Sequence, residues 1–380
     1  MITTLIFILV LSVLVFAHEL GHFWTARKLG VKAEEFGFGF PPRAFGFYRD
    51  IKGKWRHFGG NRSLEDLPAE QAPADTVYSL NWLPIGGFVR IKGENGEGKQ
   101  DHDSFAAKSL WRRALILSAG VMMNIILAAM LLSLGYMIGL PQSIDDVRPS
   151  AHITKAEVVV METLADSPAQ KAGLQAGDVI VSVNGEAVNS SEGLQALVGA
   201  NNGQATNFVV KSQAEEKNLQ ITPEIISSTG KPGIGVSIYA SGTVRYPFFI
   251  AIWEGIRATG LMFWAIIVAF AVLIRDLFLG AGVGGQVAGP VGIATLTGQV
   301  AHLGFAYLLQ FMALLSLNLA LINILPFPAL DGGRLLFLLI EKFKGRPVRQ
   351  SVEALIHTIG FWLLILLIIV VTYKDIVRLF

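Results

Sequence analysis

The chain has 380 residues, 52% of them hydrophobic and only 16% charged, with a formal net charge of +2. Half apolar and poor in charge, it departs from an average soluble domain and belongs among membrane proteins; so small a net charge decides little, and the pattern of the charges carries the information. With no cysteine, a disulfide framework and any thiolate metal site are excluded.

The first element is residues 2–24, an apolar run whose length at about 1.5 Å per residue matches a hydrocarbon core of about 30 Å. It passes through His18 without an A-x-A cleavage site, so it reads as a retained span and not as a removed signal peptide. Its end, FAHELGHFW at residues 16–24, sets two histidines and a carboxylate in the span. Each such group costs a few kcal/mol to place in hydrocarbon, so something must repay it. HELGH fits H-E-x-x-H: residues four apart share a helix face, so His18 and His22 can offer imidazole nitrogens to one metal ion. Glu19 can then reach a water at the metal as general base. The plainer alternative is a histidine pair satisfied within a helix bundle.

Residues 25–113 carry Arg27, Lys28, Arg43, Lys52, Lys54, Arg56, Arg112 and Arg113, which places them in the cytoplasm and the N-terminus outside. Within them SLNWLPIGGFVRIKGE, residues 79–94, pairs two strand-like runs around residues 84–87 and reads as a hairpin. Its exposed edge could add an unwound substrate as a further strand, with Gly86, Gly87 and Phe88 as candidate substrate-binding residues; an ordinary cytoplasmic hairpin is the alternative. Residues 110–140 hold the second span, whose apolar heart at 114–134 contains one strongly polar side chain, Asn124.

Residues 150–240 lack a spanning run and alternate short strands (EVVVMETL, DVIVSVNG, TNFVVKS, GIGVSIY) with glycine turns and one short helix near residues 191–198. They form a compact β-rich domain on the outer face. Residues 248–274 are ambiguous, because Glu254 and Arg257 leave only about 17 clean residues, the lower limit for a crossing. Residues 303–325, with Asn318 and Asn323, and residues 356–372 are the last two spans. The basic stretch 341–350 is cytoplasmic only if 303–325 runs inward, so 248–274 is expected to lie along the outer interface or dip partway in, with Trp253 and Trp264 at headgroup level. The domains are then 1–140, 150–240, an interfacial or partly inserted 241–302, and 303–380.

Catalytic zinc usually takes three protein ligands, so a third donor is needed. The best candidate is Asp331 in NILPFPALDGGR, residues 323–334, where Pro326 and Pro328 break the helix and Gly332 and Gly333 let the backbone turn closely. His18, His22 and Asp331 all approach the cytoplasmic ends of inward-running helices. His302 and His357 lie near span ends, where water or headgroups satisfy them, and are not expected to bind metal. No Gly-rich phosphate motif follows a strand, so nucleotide use is unsupported, and the Lys and Arg around residues 342–349 read as a topology signal and not as a nucleic-acid patch.

These residues resemble the site-2 protease family of intramembrane zinc metalloproteases, peptidase family M50, and within it the bacterial branch typified by the regulator of sigma-E protease. The resemblance rests on HELGH, NILPFPALDGG, LSAGVMMNIILA in the second span, GPVGIA at residues 289–294, and SPAQKAGLQAGDVIVSVNGEAV at residues 167–188, which is similar to the core of a PDZ domain. It implies a polytopic α-helical membrane protein of about four transmembrane helices, with a membrane-associated β-hairpin and an inserted extracytoplasmic PDZ-like domain. It carries over Zn2+ as cofactor, His18, His22 and Asp331 as its ligands, Glu19 as the catalytic carboxylate, and Asn323 as a binder of substrate backbone. Asn318 and Asn124 are equally well interhelical glue. The implied partners are the lipid bilayer and single-pass membrane proteins, anti-sigma factors or remnant signal peptides, cut within their transmembrane segments. The implied place is the bacterial inner membrane, with both termini and the PDZ-like domain outside. PDZ folds can capture a chain terminus by strand addition, and only about 90 residues are present, enough for one such domain where that branch has two. A non-catalytic PDZ-bearing scaffold and a metal transporter stay open as alternatives.

Overall fold

The computed structural model describes residues 2–60, 69–145, 147–212, 215–226, 230–280 and 288–377. The chain divides into two compact units, residues 1–132 with 255–380, and residues 133–254.

The first unit begins with helix α1 (Ile2–Lys28). A hydrocarbon solvent offers no partner to backbone amides, so an apolar run of this length closes its hydrogen bonds internally. Three strands follow, β1 (Ala33–Arg49), β2 (Trp55–Gly59) and β3 (Val77–Ile91), in the sheet order β2-β1-β3. In β1, Phe36, Phe38 and Phe40 alternate with Gly37 and Gly39, the period-2 signature of a strand. Both β1 and β3 fold back on themselves, and Phe36 faces Val89 and Tyr78 while Phe38 faces Gly87 and Leu80. The first half of β1 therefore lies between the two halves of β3. The two runs of residues 79–94 do not pair with each other as a simple hairpin would; a strand from elsewhere in the chain separates them. Phe40, Leu80, Trp82 and Leu83 are left exposed at the tip of this sheet, an apolar surface suited to hydrocarbon.

Helix α2 (Leu110–Ile138) leads into the second unit. There β4 (Leu140–Ser143), β5 (His152–Thr163), helix α3 (Pro168–Lys171), β6 (Val179–Val183), β7 (Glu186–Ala187), helix α4 (Ser191–Ala200), β8 (Thr206–Ser212), β9 (Glu215–Ile221), β10 (Glu224–Ile226), β11 (Lys231–Gly233) and β12 (Val236–Arg245) build the β-rich domain. Its main sheet runs β4-β12-β5-β6-β8-β9, with β7 on β6. The core is one cluster of inward-facing residues that includes Val158, Ile180, Leu194, Phe208 and Val210. Both helices start on serine caps: the Ser167 hydroxyl accepts the Gln170 amide and the Ser190 hydroxyl accepts the Gly193 amide.

Helix α5 (Phe248–Leu279) is one continuous helix through Glu254 and Arg257, and it leads back to the first unit. There α6 (Pro290–Leu303), α7 (Phe305–Ile324), α8 (Asp331–Lys344) and α9 (Gln350–Val377) complete the fold. Among the described residues five helices, α1, α2, α5, α7 and α9, are long and apolar enough to cross a membrane. The expectation of about four spans set 248–274 at the outer interface because a crossing there would turn residues 341–350 outward; extended to Leu279, the helix has the length and hydropathy of a crossing, and none of its most apolar window is buried. Helix α6 packs on α1, α7 and α9. Its N-terminal amides, on Gly289 and Gly292, are accepted by the buried Asp375 carboxylate near the end of α9.

Candidate metal centre

Helix α1 presents His18 and His22 on one face, four residues apart, and both are buried. Helix α2 crosses them where each helix carries a glycine. A Cβ on Gly21 would stand 2.4 Å from the Ala119 carbonyl oxygen, and one on Gly120 would stand 2.3 Å from His22 Nε2 and 2.7 Å from His18 Nε2. The missing side chain of Gly120 is the space the imidazoles point into.

Asp331 arrives from the other side, at the start of α8. Between α7 and α8 the loop 325–330 turns tightly: the Phe327 amide donates to the Leu325 carbonyl at 2.7 Å and the Leu330 amide to the Phe327 carbonyl at 3.2 Å. Ala329 takes a left-handed conformation, φ 75°. Gly332 and Gly333 permit this turn, since a Cβ would lie 2.1 Å from the Leu325 carbonyl oxygen at the first and 2.3 Å from that of Phe327 at the second. Helix α9 steadies the loop, with His357 Nδ1 accepting the Ala329 amide at 2.8 Å and Gly360 packed on Pro328. Arg334 pairs with Glu94 after β3, and Arg113 of α2 holds Glu341 of α8 through two bonds of 2.6 and 3.1 Å.

Three ligand atoms converge as a result. His18 Nε2 lies 3.1 Å and His22 Nε2 3.2 Å from Asp331 Oδ2, and the two nitrogens are 3.2 Å apart. Tetrahedral zinc with bonds of about 2.0–2.1 Å separates its ligand atoms by about 3.3–3.4 Å, so one ion fits this triangle with small adjustment. The chemistry of the donors agrees. His22 Nδ1 donates to the Ile116 carbonyl at 2.8 Å, which leaves Nε2 of the neutral ring as a bare lone pair, and the buried Asp331 Oδ2 faces both imidazole Nε2 atoms. Among the described residues this is the one group of three such side chains able to hold a metal.

Glu19 is half-buried on α1, and its carboxylate accepts the Val89 amide of β3 at 3.1 Å. The second half of β3 therefore runs along α1 beside the three donors. It is seated by Ser12, whose hydroxyl stands 2.6 Å from the Pro84 carbonyl, and by Gly86, where φ is 73° and a Cβ would meet Val15 at 2.7 Å. Gly86 and Gly87 are buried, and the ring of the half-buried Phe88 covers Gly37. Asn323 sits at the end of α7, half-buried, and its side chain makes no hydrogen bond among the described residues. Asn318 donates within α7 to the Leu314 carbonyl, whereas Asn124 reaches across to His18. His302 lies in the last turn of α6, outside the donor group. Nothing in the sequence reading pointed to Gly120 or the Ile116 carbonyl, and it left His357 to water or headgroups where the structure has it accept the Ala329 amide. The one signal for Gly120 is its place in LSAGVMMNIILA, a small residue within a spanning helix.

Residues 6–57 and 66–367 match the model of peptidase family M50. Regulator of sigma-W protease RasP of Bacillus subtilis is 30% identical over 460 residues, covering 100% of this chain and 99% of that protein. Zinc metalloprotease RasP of Geobacillus kaustophilus is 28% identical over 459 residues, covering 98% of this chain and 97% of that protein. A solved PDZ domain of an SdrC-like protein from Listeria monocytogenes is 28% identical and covers 23% of this chain and 92% of its own, with a TM-score of 0.22.

Proposed function

The chain belongs to peptidase family M50, and from that membership we propose that this zinc metalloprotease cleaves peptide bonds within the transmembrane segments of single-pass membrane proteins, at a centre formed by His18, His22 and Asp331. The observation that carries the assignment is the convergence of three ligand atoms within 3.2 Å of one another, two of them beside Glu19 on α1, a helix apolar enough to cross a membrane. Zinc held there supplies the Lewis acidity that amide hydrolysis needs. Glu19 is the general base: it takes the proton of the attacking water and passes one to the leaving amine. Its hydrogen bond to the Val89 amide aims the carboxylate along the edge of β3.

A transmembrane helix hides its carbonyls in its own hydrogen bonds and must unwind before it is cut. The edge at Gly86, Gly87 and Phe88 offers the unwound segment a strand to pair with, and Asn323 offers its unpaired amide to substrate backbone. The domain of residues 140–245 is read as a PDZ fold on the outer face, able to hold a peptide terminus. With α5 lying along the outer interface, the positive-inside rule keeps residues 25–113 and 341–350 together on the cytoplasmic side, and the centre is read as near that side of a bacterial inner membrane. The similarity to the regulator of sigma-W protease of Bacillus subtilis favours anti-sigma-factor-like substrates, with remnant signal peptides as a second class.

A scaffold would need neither Glu19 nor the donor triangle, and a transporter would need polar groups along a whole path, where the described residues hold one group of three metal donors. The test is cleavage of a single-span substrate by the full chain in liposomes, with the cut mapped by mass spectrometry. Scission inside the membrane segment supports the proposal; scission only in soluble flanks refutes it.

A further inference from the structure

We infer that Asn124 is a positioning residue of the metal centre: its side-chain oxygen accepts the Nδ1–H of His18 and holds that imidazole in the tautomer whose Nε2 is free for zinc. The inference rests on the ligand set proposed above and extends it to the shell behind.

The two histidines differ in what stands behind them. His22 has a fixed acceptor, the Ile116 carbonyl, which only an Nδ1–H can satisfy. His18 has Asn124, fully buried on α2, with its amide nitrogen 3.3 Å from His18 Nδ1 and its Oδ1 without any hydrogen-bond partner. With the amide nitrogen facing it, His18 Nδ1 must act as acceptor, and the ring proton then sits on Nε2, among the other ligand atoms. Metal binding requires the reverse, a bare Nε2 and a proton on Nδ1, and the facing group must then be an acceptor. A half turn of the Asn124 amide supplies one, because it exchanges Nδ2 for an Oδ1 of nearly the same size. The backbone does not need to move for this. Ser316 of α7 donates to the Asn124 carbonyl at 2.8 Å, a backbone contact that rotation of the side-chain amide leaves untouched.

Alternatives along α2 explain less. Interhelical glue would leave both amide atoms paired, and a purely steric role would be filled by leucine, which is of similar size and far cheaper to bury in an apolar helix. A buried amide with one orphaned atom, set against the ring nitrogen opposite the ligand atom, fits an orienting group.

The test uses the full chain in detergent with cobalt(II) as the probe, read by its visible d–d bands and by competition with a chelator. Wild type, Asn124→Leu, Asn124→Asp and Ser316→Ala are compared, with thermal unfolding as the check on folding. Removing a partner of this kind typically costs 10–100-fold in metal affinity. We expect Asn124→Leu to lose about that and to distort the cobalt bands, Asn124→Asp to bind at least as tightly as wild type because a carboxylate oxygen replaces the amide oxygen, and Ser316→Ala to keep both spectrum and affinity. If Asn124→Leu fails to fold, Asn124→Asp decides alone, and a tenfold loss there overturns the inference because the amino group would then be what matters. Wild-type affinity in a folded Asn124→Leu overturns it too. Failure of the wild-type chain to bind cobalt refutes the ligand set itself, a separate outcome.

Discussion

Replacing Gly120 with alanine adds one methyl group to the floor of the metal centre. The added carbon would stand 2.3 Å from His22 Nε2, 2.6 Å from His18 Cε1 and 2.7 Å from His18 Nε2. An ordinary contact needs about 3.5 Å, so something must move by about 1 Å, whereas a metal site tolerates ligand displacements of about 0.2 Å. The backbone of α1 cannot retreat alone, because Ser12 and Val15 hold it against Pro84 and Gly86 of β3. The imidazoles therefore swing out of the triangle. Overpacking of this size typically costs 1–3 kcal/mol, which is about 5- to 150-fold in zinc affinity if the strain is relieved by loss of metal. Chelator competition on purified protein measures this, with the unfolding temperature of the metal-free form as control. Gly120→Ala with wild-type zinc affinity and wild-type turnover would refute the close approach from which the centre is built.

Two other substitutions separate substrate handling from metal handling. Gly86→Val sets a branched side chain at φ 73° against Val15 and should push the β3 edge off α1, lowering kcat/KM for a single-span substrate about tenfold or more at unchanged zinc content; equal loss of zinc would show the edge to be part of the metal site. His357→Ala removes the acceptor of the Ala329 amide in the strained loop before Asp331, a loss of about 1 kcal/mol that should lower zinc affinity several-fold, while His357→Asn, whose oxygen falls near the Nδ1 position, should recover most of it in the same titration.

How much of this was legible in the sequence follows the range of each interaction. HELGH declares its geometry locally, because a four-residue spacing on a helix fixes which side chains share a face. The turn at Pro326, Pro328, Gly332 and Gly333 likewise carries its bend in its own residue types. The sheet was harder to read. Strand runs around residues 84–87 look like a hairpin, yet Phe36 to Phe38 insert between them, and nothing within 79–94 encodes a partner forty residues upstream. For α5 the charges Glu254 and Arg257 made the segment ambiguous and the cytoplasmic placement of 341–350 argued against a crossing; the sequence did not show that one helix continues through both charges. Least legible were the groups that act on the centre from other elements. Gly120, Ile116 and His357 matter through the third dimension alone, and a glycine in an apolar helix says only that something comes close. Asn124 drew notice as a polar group in a span, but which residue it faces depends on the register of α2 against α1.

The most direct measurement is zinc content together with cleavage of a tagged single-span substrate in detergent, for wild type, Glu19→Gln and Asp331→Ala. The account predicts that wild type holds zinc and cuts, that Glu19→Gln keeps the zinc while its turnover falls by about 10²–10⁴-fold or more, and that Asp331→Ala loses zinc and activity together. A wild type without zinc, or a Glu19→Gln variant that cuts at the wild-type rate, would contradict it and leave His18 and His22 as a structural pair within the bundle.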